Sequence, residues 1–393
     1  MKARRITDRV SLIGAVDWDR RLFDALIPIP DGTSYNAYLV SGSDRTALID
    51  TVDPAFTEVL MAQLADVPKV DYVVAQHAEQ DHSGSLGAVL ERYPKAKIVC
   101  SERCKGMLID LLHLPDGSFS PVADGDSLSL GDLTLKFLYT PWVHWPETMS
   151  TYVQQEKLLF SCDFFGSHLA TTDLFAEERR VYEPAKRYFA EIMMPFRGMI
   201  QKNLDKLDGY KIRFIAPSHG PVYDKPAFII DAYRDWVEAE PKNLAVIAYV
   251  SMHDSTRHLV DRLIDGLVAG GVGVERFDLT TIDLGKLATA LVDATTVVIG
   301  TPTVLGGPHP AAATAAFLAN ALKPKMKYAA IVGSYGWGGK TVDQLAGLMP
   351  NVKAEFFEPV MCKGLPRAED YAALDRLAEG IAAKHGELFG ARA

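Results

Sequence analysis

The stretch His77-Ala-Glu79-Gln-Asp81-His82 constrains the fold more than any other part of this chain, because it places four potential metal ligands within six residues. It directly follows residues 71–76, an apolar segment that is typical of a buried strand. The alternation predicts an extended turn with His77, Glu79 and Asp81 on one side and His82 beside them. Taken alone, the run is also compatible with a solvated loop.

Three further candidate ligands follow at long intervals. They are His144, in the run Pro-Trp-Val-His-Trp-Pro, Asp163, in Phe-Ser-Cys-Asp, and His219, in Pro-Ser-His-Gly-Pro. Asp163 and His219 each come after a strand-like segment, as His77 does, and chance does not readily produce that repetition. A single buried histidine is more often a structural residue than a ligand, but this set offers four imidazoles and three carboxylates. That is enough for two metal ions with open positions for a substrate.

The last 150 residues or so begin with an apolar run, residues 244–250, that is typical of a buried parallel strand. A hydroxyl-rich turn and a helical pattern from Arg257 to Val268 follow. Hydroxyls and backbone N–H groups at a helix N-terminus form an anion site, although a plain helix cap is the alternative. The absence of a G-x-x-x-x-G-K-[ST] motif and of a basic residue before Arg257 favours a monophosphate over a triphosphate. The candidate contacts are Ser251, Met252, His253, Asp254, Ser255 and Thr256.

Two later strand-like segments, residues 297–303 and 329–334, end in loops of small residues. In a doubly wound sheet, ligands bind beyond the carboxyl ends of the strands. Glycines at 333, 336, 338 and 339 surround Tyr335 and Trp337 and favour a tight loop that faces a ligand, although either aromatic ring is also compatible with a core position. The candidate contacts in these loops are Pro302, Thr303, Val304, Leu305, Ser334, Tyr335, Gly336, Trp337, Gly338 and Gly339.

These motifs together resemble a known family. His-x-[Glu/His]-x-Asp-His, followed far downstream by His, Asp and His, is the ligand pattern of metallo-β-lactamase-like domains. Glu79 and the runs HWPETM at 144–149, SHGPVY at 218–223 and GSYGWGG at 333–339 resemble the flavodiiron proteins, also called A-type flavoproteins. The resemblance extends over nearly the whole chain. One departure is Asp254, where typical flavodoxins have glycine, and it puts the detailed phosphate contact in doubt.

The resemblance implies an α/β protein with two domains. Residues 1–242 would form an αββα metallo-β-lactamase-like sandwich, and residues 243–393 a doubly wound, flavodoxin-like parallel sheet. The implied cofactors are FMN and two non-haem irons. One iron would be bound by His77, Glu79 and His144, and the other by Asp81 and His219, with Asp163 bridging them; His82 is left open, because family members differ there. Glu79, where the zinc hydrolases of the superfamily carry a second histidine, adds a hard anionic donor and favours iron.

The function that the resemblance implies is reduction of O2 to water, of NO to N2O, or of both, at a diiron site supplied with electrons by FMN. The choice between the gases is left open. So is the electron donor, either a separate rubredoxin-like protein or a reduced deazaflavin coenzyme. The expected assembly is a head-to-tail homodimer, or a dimer of such dimers, in which the flavin of one subunit faces the irons of the other. The alternatives are a zinc-dependent hydrolase with an accessory flavodoxin domain and a non-enzymatic electron-transfer flavodoxin.

Composition narrows the class further. A length of 393 residues permits two or three domains, and 48% hydrophobic with 23% charged residues is typical of globular proteins. The net charge of −9 argues against a nucleic-acid partner. No run approaches the ~18 apolar residues of a membrane span, and the start Met-Lys-Ala-Arg-Arg does not resemble a secretory signal. Four cysteines without a C-x-x-C pair favour reduced thiols in the cytoplasm and no fused rubredoxin centre.

Three residues near the motifs have two interpretations each. Trp142 and Trp145 flank His144, and either ring screens the metals from water or simply packs in the core. His168 lies five positions after Asp163 and is either a proton donor or, more often for such a residue, a structural one.

Overall fold

The structure is a computed structural model that describes residues 2–390. The described part of the chain divides into two compact units, with the boundary between residues 237 and 238. Among the helices of the described range, none has both the length and the apolar character needed to cross a bilayer.

The first unit contains strands from three sheets and helices that cover them. Its strands are β1 (Arg4–Arg5), β2 (Val10–Asp17), β3 (Leu22–Phe23), β4 (Ile27–Pro28), β5 (Thr33–Ser41), β6 (Thr46–Ile49), β7 (Tyr72–Val74), β8 (Lys97–Ser101), β9 (Phe119–Val122), β10 (Ser127–Ser129), β11 (Thr134–Tyr139), β12 (Met149–Val153), β13 (Leu158–Cys162) and β14 (Phe214–Pro217). Its helices are α1 (Thr57–Gln63), α2 (Gln80–Ser83), α3 (Leu86–Arg92), α4 (Glu102–Leu112), α5 (Glu178–Tyr188), α6 (Arg197–Leu207) and α7 (Pro226–Glu238).

Two of the sheets form the centre of this unit. The larger has the order β1-β2-β5-β6-β7-β8-β9, antiparallel as far as β6 and parallel from there to β9. The smaller has the order β10-β11-β12-β13-β14, in which only β13 and β14 are parallel. The strands β3 and β4 form a separate hairpin. Parallel neighbours such as β6, β7 and β8 end at the same edge of the sheet, which is where loops build a site.

Apolar side chains fill the layers of the sandwich. Between the sheets lie residues such as Val40 and Ile49 from one sheet and Phe137 and Phe160 from the other. The opposite face of the larger sheet packs on the helices α1, α3 and α4. The helices α5 and α7, with the residues that follow α5, bury an aromatic cluster that includes Trp236. This arrangement is the predicted αββα sandwich.

The second unit is a parallel sheet between helices. Its strands are β15 (Lys242–Tyr249), β16 (Gly273–Asp278), β17 (Ala294–Val304), β18 (Gly307–Pro308), β19 (Tyr328–Tyr335), β20 (Glu355–Phe356) and β21 (Val360–Lys363), and its helices are α8 (Ser255–Ala269), α9 (Leu284–Leu291), α10 (Pro310–Leu322), α11 (Thr341–Gly347) and α12 (Ala368–Phe389). The order β16-β15-β17-β19-β20 is the flavodoxin-like order, with its switch point between β15 and β17. The helices α8 and α12 cover one face.

Two details differ from the sequence-based expectation. Val304, predicted in the loop after the strand-like segment 297–303, is the last residue of β17, which turns back into β18. Leu305 and Gly306 make that turn with φ of 54° and 80°, the left-handed pair that a tight hairpin requires. The domain limit predicted between residues 242 and 243 falls inside β15, because this strand begins at Lys242.

Candidate metal centre and flavin edge

The residues 77–82 lead from a strand into a short helix. His77 follows β7, Glu79 has an extended backbone (φ −59°, ψ 143°), and α2 begins at the next residue. The Ser83 hydroxyl donates to the Ala78 carbonyl oxygen at 2.7 Å and closes the turn. The prediction of an extended turn is therefore wrong from Gln80 onward. Because successive helical residues point about 100° apart, Asp81 and His82 approach the centre from different directions.

The other three ligand candidates come from the ends of strands in the smaller sheet. His144 lies in the connection from β11 to β12, Asp163 directly follows β13, and His219 follows β14. The structure brings all seven candidates together into two adjacent groups.

The first group joins two imidazoles and one carboxylate to Asp163. The Nε2 atoms of His77 and His144 each lie 3.0 Å from Glu79 Oε2. The same two atoms lie 3.4 and 3.7 Å from Asp163 Oδ2.

The second group uses the other oxygen of Asp163. His82 Nε2 lies 3.2 Å from Asp163 Oδ1 and 3.3 Å from Asp81 Oδ1. His219 Nε2 lies 3.3 Å from Asp163 Oδ1 and 3.2 Å from Asp81 Oδ2. Each carboxylate oxygen of Asp163 therefore faces one of the two groups, which is the geometry of a bridging ligand.

The donor set fits two metal ions. Asp81 Oδ1, Asp81 Oδ2 and Asp163 Oδ2 are buried without a hydrogen-bond partner in the part of the chain that the structure describes. Unpaired buried carboxylate oxygens are costly unless something binds them. Four imidazole nitrogens converge on them, and mixed nitrogen and oxygen donors of this kind suit iron.

Hydrogen bonds on the far side of two imidazoles fix which nitrogen faces the centre. His77 Nδ1–H donates to Glu147 Oε1 at 2.7 Å, and the Ala78 N–H donates to the same oxygen at 3.0 Å. His219 Nδ1–H donates to the carbonyl oxygen of Ser34 at 2.7 Å. Each bond leaves Nε2 free for a metal, as partners of this kind do in metal sites.

His82 is held less firmly on that far side. Its Nδ1 lies 4.0 Å from the Cys162 thiol, well beyond the length of the bonds that hold His77 and His219. Its Nε2 nevertheless takes the same distances to the carboxylates as His219 does.

The charges of the centre are those of ionised carboxylates surrounded by imidazoles. Burial raises the pKa of Asp163, but the neighbouring His82 and His219 outweigh it and hold the pKa well below its usual range. Glu79 behaves in the same way, because hydrogen bonds from His144 and His77 lower its pKa. Burial lowers the pKa of His77, but its bonds with Glu147 and Glu79 raise it to about 10. The site is thus a compact array of ionised carboxylates and imidazoles.

Three residues that support the centre were missed from the sequence. Glu147 and Ser34 orient imidazoles, and the Tyr188 hydroxyl donates to Asp163 Oδ1 at 2.9 Å. Burial raises the pKa of Tyr188, so the hydroxyl stays protonated. A signal existed for Glu147, which lies inside the HWPETM run, whereas Tyr188 and Ser34 stand in no recognisable motif.

The two interpretations of the neighbouring residues can now be compared with the contacts. The ring of Trp145 meets that of His77 at 4.9 Å and also packs against the core of the larger sheet, whereas Trp142 is 39% exposed and stacks on Phe196. His168 Nδ1 lies 2.9 Å from the Thr33 hydroxyl, and burial holds the pKa of His168 well below its usual value. His168 is therefore neutral.

The candidate flavin contacts lie at the carboxyl edge of the second sheet. The Arg257 N–H donates to the Ser251 hydroxyl at 3.2 Å, at the start of α8. Thr256 and Ser334 join the first and third loops through a hydroxyl pair at 3.0 Å. Asp254 has a left-handed backbone with φ of 62°, which explains why glycine is usual there and why aspartate is tolerated.

The loop after β19 requires glycine at one position. A Cβ atom on Gly339 would lie 2.8 Å from Thr303 Cγ2 and 3.0 Å from the Gly306 carbonyl oxygen, whereas one on Gly338 would meet nothing within 4 Å. A depression of about 310 Å³ between Thr303, Tyr335 and this loop opens to the surface. Hydroxyls, a helix N-terminus and a glycine-lined depression fit a flavin mononucleotide.

Apolar side chains project from all three loops. Met252 is 52% exposed, Leu305 is 96% exposed and Trp337 is 69% exposed. Of the other candidates, Thr256, Pro302 and Ser334 are buried, Ser255, Thr303, Val304 and Tyr335 are half-buried, and His253, Gly336, Gly338 and Gly339 are exposed.

The fold and the paired metal groups define a metallo-β-lactamase-like domain joined to a flavodoxin-like domain. The sequence profile of the ODP family beta lactamase matches residues 33–220. A nitric oxide reductase of Moorella thermoacetica is 38% identical over 391 residues, which cover 96% of this chain and 98% of the relative. A coenzyme F420H(2) oxidase of Methanothermobacter marburgensis is 33% identical, with 92% of each chain covered.

Solved structures agree over the same length. The rubredoxin oxygen:oxidoreductase of Desulfovibrio gigas superimposes with a TM-score of 0.94 at 31% identity, covering 98% of this chain and 99% of the other. The flavodiiron protein from Giardia intestinalis gives a TM-score of 0.90 at 27% identity, with 98% of each chain covered. This chain belongs to the flavodiiron protein family. The predicted fold and the predicted class of oxidoreductase, with FMN and a diiron centre, are confirmed, and the zinc hydrolase alternative is not supported.

Proposed function

We propose that this chain reduces O2, NO or both at a diiron centre that it holds with His77, Glu79, Asp81, His82, His144, Asp163 and His219. The observation that carries the proposal is Asp163, which directs one oxygen to each of two adjacent ligand groups. FMN bound to the second unit would supply electrons one at a time, and a pair of irons at the centre would supply the redox chemistry that reduces the gas.

The ligands divide between the two metal positions by proximity. His77, Glu79 and His144 would hold the first metal, Asp81 and His219 would hold the second, and Asp163 would offer one oxygen to each. We assign His82 to the second position as well, because its Nε2 lies as close to Asp81 and Asp163 as that of His219 does.

The surrounding residues orient the ligands and limit access of water. Glu147 and Ser34 hold imidazole rings, and Tyr188 donates a hydrogen bond to the bridging carboxylate. The side chains of Glu79 and His144 are 14% and 17% exposed, and those of the other five ligands are at most 6% exposed. Glu79 and His144 are therefore the ligands nearest to solvent.

The flavin edge consists of the three loops at the carboxyl edge of the second sheet, residues 251–256, 302–305 and 334–339. It holds the phosphate and the isoalloxazine ring of FMN at separate places. Ser251, Thr256 and the start of α8 face the phosphate, since hydroxyls and helix N–H groups bind anions. Tyr335, Trp337 and the hairpin at Leu305 flank the isoalloxazine ring. Support for this placement comes from the depression between Thr303 and the glycine loop.

The working unit is a head-to-tail homodimer. Exposed apolar side chains occur at the flavin edge (Met252, Leu305 and Trp337) and near the hairpin β3–β4 (Trp18, Leu22 and Leu26). Large exposed apolar groups of this kind mark interaction surfaces. In such a dimer each of these two sets of apolar side chains faces the other copy. The electrons then travel a shorter path from the flavin of one copy to the irons of the other.

The electron donor is a rubredoxin or a reduced deazaflavin coenzyme, the donors that appear in the names of two relatives. The four cysteines are free and buried, which supports a reducing, cytoplasmic location.

The test uses anaerobically purified protein. We expect about two irons and one FMN per chain, and consumption of O2 or NO with a chemically reduced donor; the ratio of the two rates identifies the preferred gas. Asp163→Ala is expected to lose iron and to keep FMN. Zinc without gas consumption would contradict the proposal.

Complementation tests the dimer. A chain with Asp163→Ala lacks the metals, and a chain with Gly339→Val lacks the flavin, so each homodimer is inactive. Mixed dimers regain one working pair of sites if the flavin of one copy serves the irons of the other. No recovery after mixing, with mixed dimers present, would contradict the head-to-tail arrangement.

A further inference from the structure

Two buried polar residues, Asp50 and Thr51, directly follow the strand β6. Asp50 has a left-handed backbone with φ of 53°, which aspartate and asparagine adopt more readily than most residues do. The Asp50 N–H donates to the Val74 carbonyl oxygen at 2.8 Å, so this turn stays attached to β7. A carboxyl group buried in this way requires hydrogen-bond donors. The donors of Asp50 come from residues that are next to metal ligands in the chain.

The carboxyl group of Asp50 binds the residue that precedes His77. Its Oδ1 accepts from the Gln76 N–H at 2.8 Å, and its Oδ2 accepts from the side-chain amide of Gln76 at 2.9 Å. The Gln76 carbonyl oxygen in turn accepts from the Met149 N–H at 3.0 Å. Asp50 therefore fixes the backbone from which His77 reaches the first metal position.

The same two residues also contact the ligands of the second metal position or their neighbours. The N–H and the hydroxyl of Thr51 both donate to the carbonyl oxygen of His82, at 2.7 and 2.6 Å. Asp50 Oδ2 accepts a longer hydrogen bond, of 3.4 Å, from the hydroxyl of Ser218, the residue before His219. Asp50 and Thr51 are thus connected to both metal positions.

The contacts of Asp50 join the two sheets of the first unit. Gln76 follows a strand of the larger sheet, and Ser218 directly follows β14 of the smaller sheet. Both residues donate to one oxygen of Asp50. Ligands that come from different sheets keep a constant separation only if the ends of their strands are held together, and a metal site tolerates errors of only about 0.5 Å.

We propose that Asp50 and Thr51 are positioning residues that set the separation of the two metal positions. The inference rests on the proposed function and adds two residues outside the ligand set. Asp50 acts on both positions, through Gln76 and Ser218, whereas the Thr51 hydroxyl acts on the second position alone, through His82.

The experiment starts from variants that keep the shape of each side chain. Asp50→Asn tolerates the left-handed backbone but replaces one acceptor oxygen with an NH2 donor. Whichever way the amide is turned, that NH2 group faces an N–H of Gln76. Thr51→Val removes the hydroxyl and keeps the backbone bond to His82, and Thr51→Ser restores the hydroxyl.

Leu60→Ala is the matched control for lost stability. Leu60 is fully buried in α1, so this substitution removes core packing without removing a side-chain hydrogen bond. All proteins are purified anaerobically with FMN bound. Retained iron is measured against increasing chelator, and Mössbauer spectra follow the two irons separately. Urea unfolding gives the stability of each variant.

We expect Asp50→Asn to weaken the binding of both irons by about tenfold or more, the usual effect of removing a partner of a ligand. Thr51→Val should weaken the binding of one iron, and Thr51→Ser should resemble the wild type. Leu60→Ala should lose stability and hold both irons as the wild type does, and FMN content should be unchanged throughout.

Two kinds of result would overturn the inference. One is an Asp50→Asn protein that holds either iron as tightly as the wild type. The other is a Leu60→Ala protein that loses iron as readily as Asp50→Asn does, because the effect would then come from lost stability alone. A wild type that binds two irons but consumes neither gas would instead contradict the proposed function and leave this inference standing.

Discussion

The metal centre and the flavin edge are built from different chemical groups of the chain. The metal centre is made of buried, titratable side chains that converge on one another, as Asp163 and its neighbouring imidazoles do. The flavin edge is made of hydroxyls, backbone N–H groups and glycines, with its large side chains exposed. The difference teaches that residue identity specifies the first site, whereas backbone conformation specifies the second.

One departure in the sequence illustrates the contrast. Asp254 replaces a usual glycine in the phosphate turn and keeps the required left-handed backbone. The corresponding freedom is missing among the ligands, where each oxygen of Asp81 faces one imidazole nitrogen and each oxygen of Asp163 faces two.

Removing the support of a ligand is expected to have the largest effect. Glu147→Ala leaves the His77 Nδ1–H and the Ala78 N–H without their acceptor. We expect a loss of about 10–100-fold in iron affinity, the usual effect of removing such a partner. Competition with a chelator measures the iron affinity. Glu91→Ala, at an exposed helix position, is the control. A parallel loss of FMN would break the comparison, because the two sites are expected to respond independently.

A backbone-directed change at the flavin edge is expected to have the next largest effect. Gly339→Ala introduces a Cβ atom at 2.8 Å from Thr303 Cγ2, so the loop has to move. We expect FMN affinity to fall about tenfold, equivalent to about 1.4 kcal/mol, with iron content unchanged. Gly338→Ala is the matched control, because a Cβ atom there meets open space. Equal effects of the two substitutions, measured by flavin fluorescence, would argue against this role of the loop.

The smallest expected effect is the change with pH in the stability of the second unit, through His385. His385 is bonded to Thr296 and Asn243, both at 2.7 Å, and burial lowers the pKa of His385. A histidine with a lowered pKa favours the folded state above its unfolded pKa of about 6.5, and that contribution falls as the pH drops below this value. The free energy of unfolding of the second unit, measured with urea, should therefore fall as the pH falls, by at most about 1.4 kcal/mol per pH unit.

A substitution separates His385 from other acid effects. His385→Gln removes the titration and retains hydrogen-bonding groups, so its stability should vary less between about pH 7 and pH 5 than that of the wild type. Identical pH dependence of the two proteins would show that His385 has the same pKa in the folded and unfolded states, or that another group causes the pH dependence.

The sequence revealed the ligands because their identities carry the information. His77, Asp163 and His219 each follow an apolar segment, and the end of a strand is where a side chain can reach a shared site. The roles of Glu147 and Tyr188 were not predictable in this way. Each depends on a contact with a residue 70 or 25 positions away, and neither contact leaves a local pattern.

Backbone details were predicted less well, for a physical reason. The helix α2 was read as an extended turn because alternation of polar residues does not distinguish a strand end from a single helical turn. The hairpin at Leu305 was read as a loop because leucine rarely adopts a left-handed backbone. Tertiary contacts decide such positions.

The distribution of the ligands along the chain, from His77 to His219, has a consequence for how the protein matures. A local metal motif captures its ion while the chain is still unfolded, but here the complete donor set exists only after both sheets of the first unit have formed. Iron bound to the folded form then stabilises it by mass action. Iron content therefore reports how much of a preparation has reached the native state, and loading should follow folding in time.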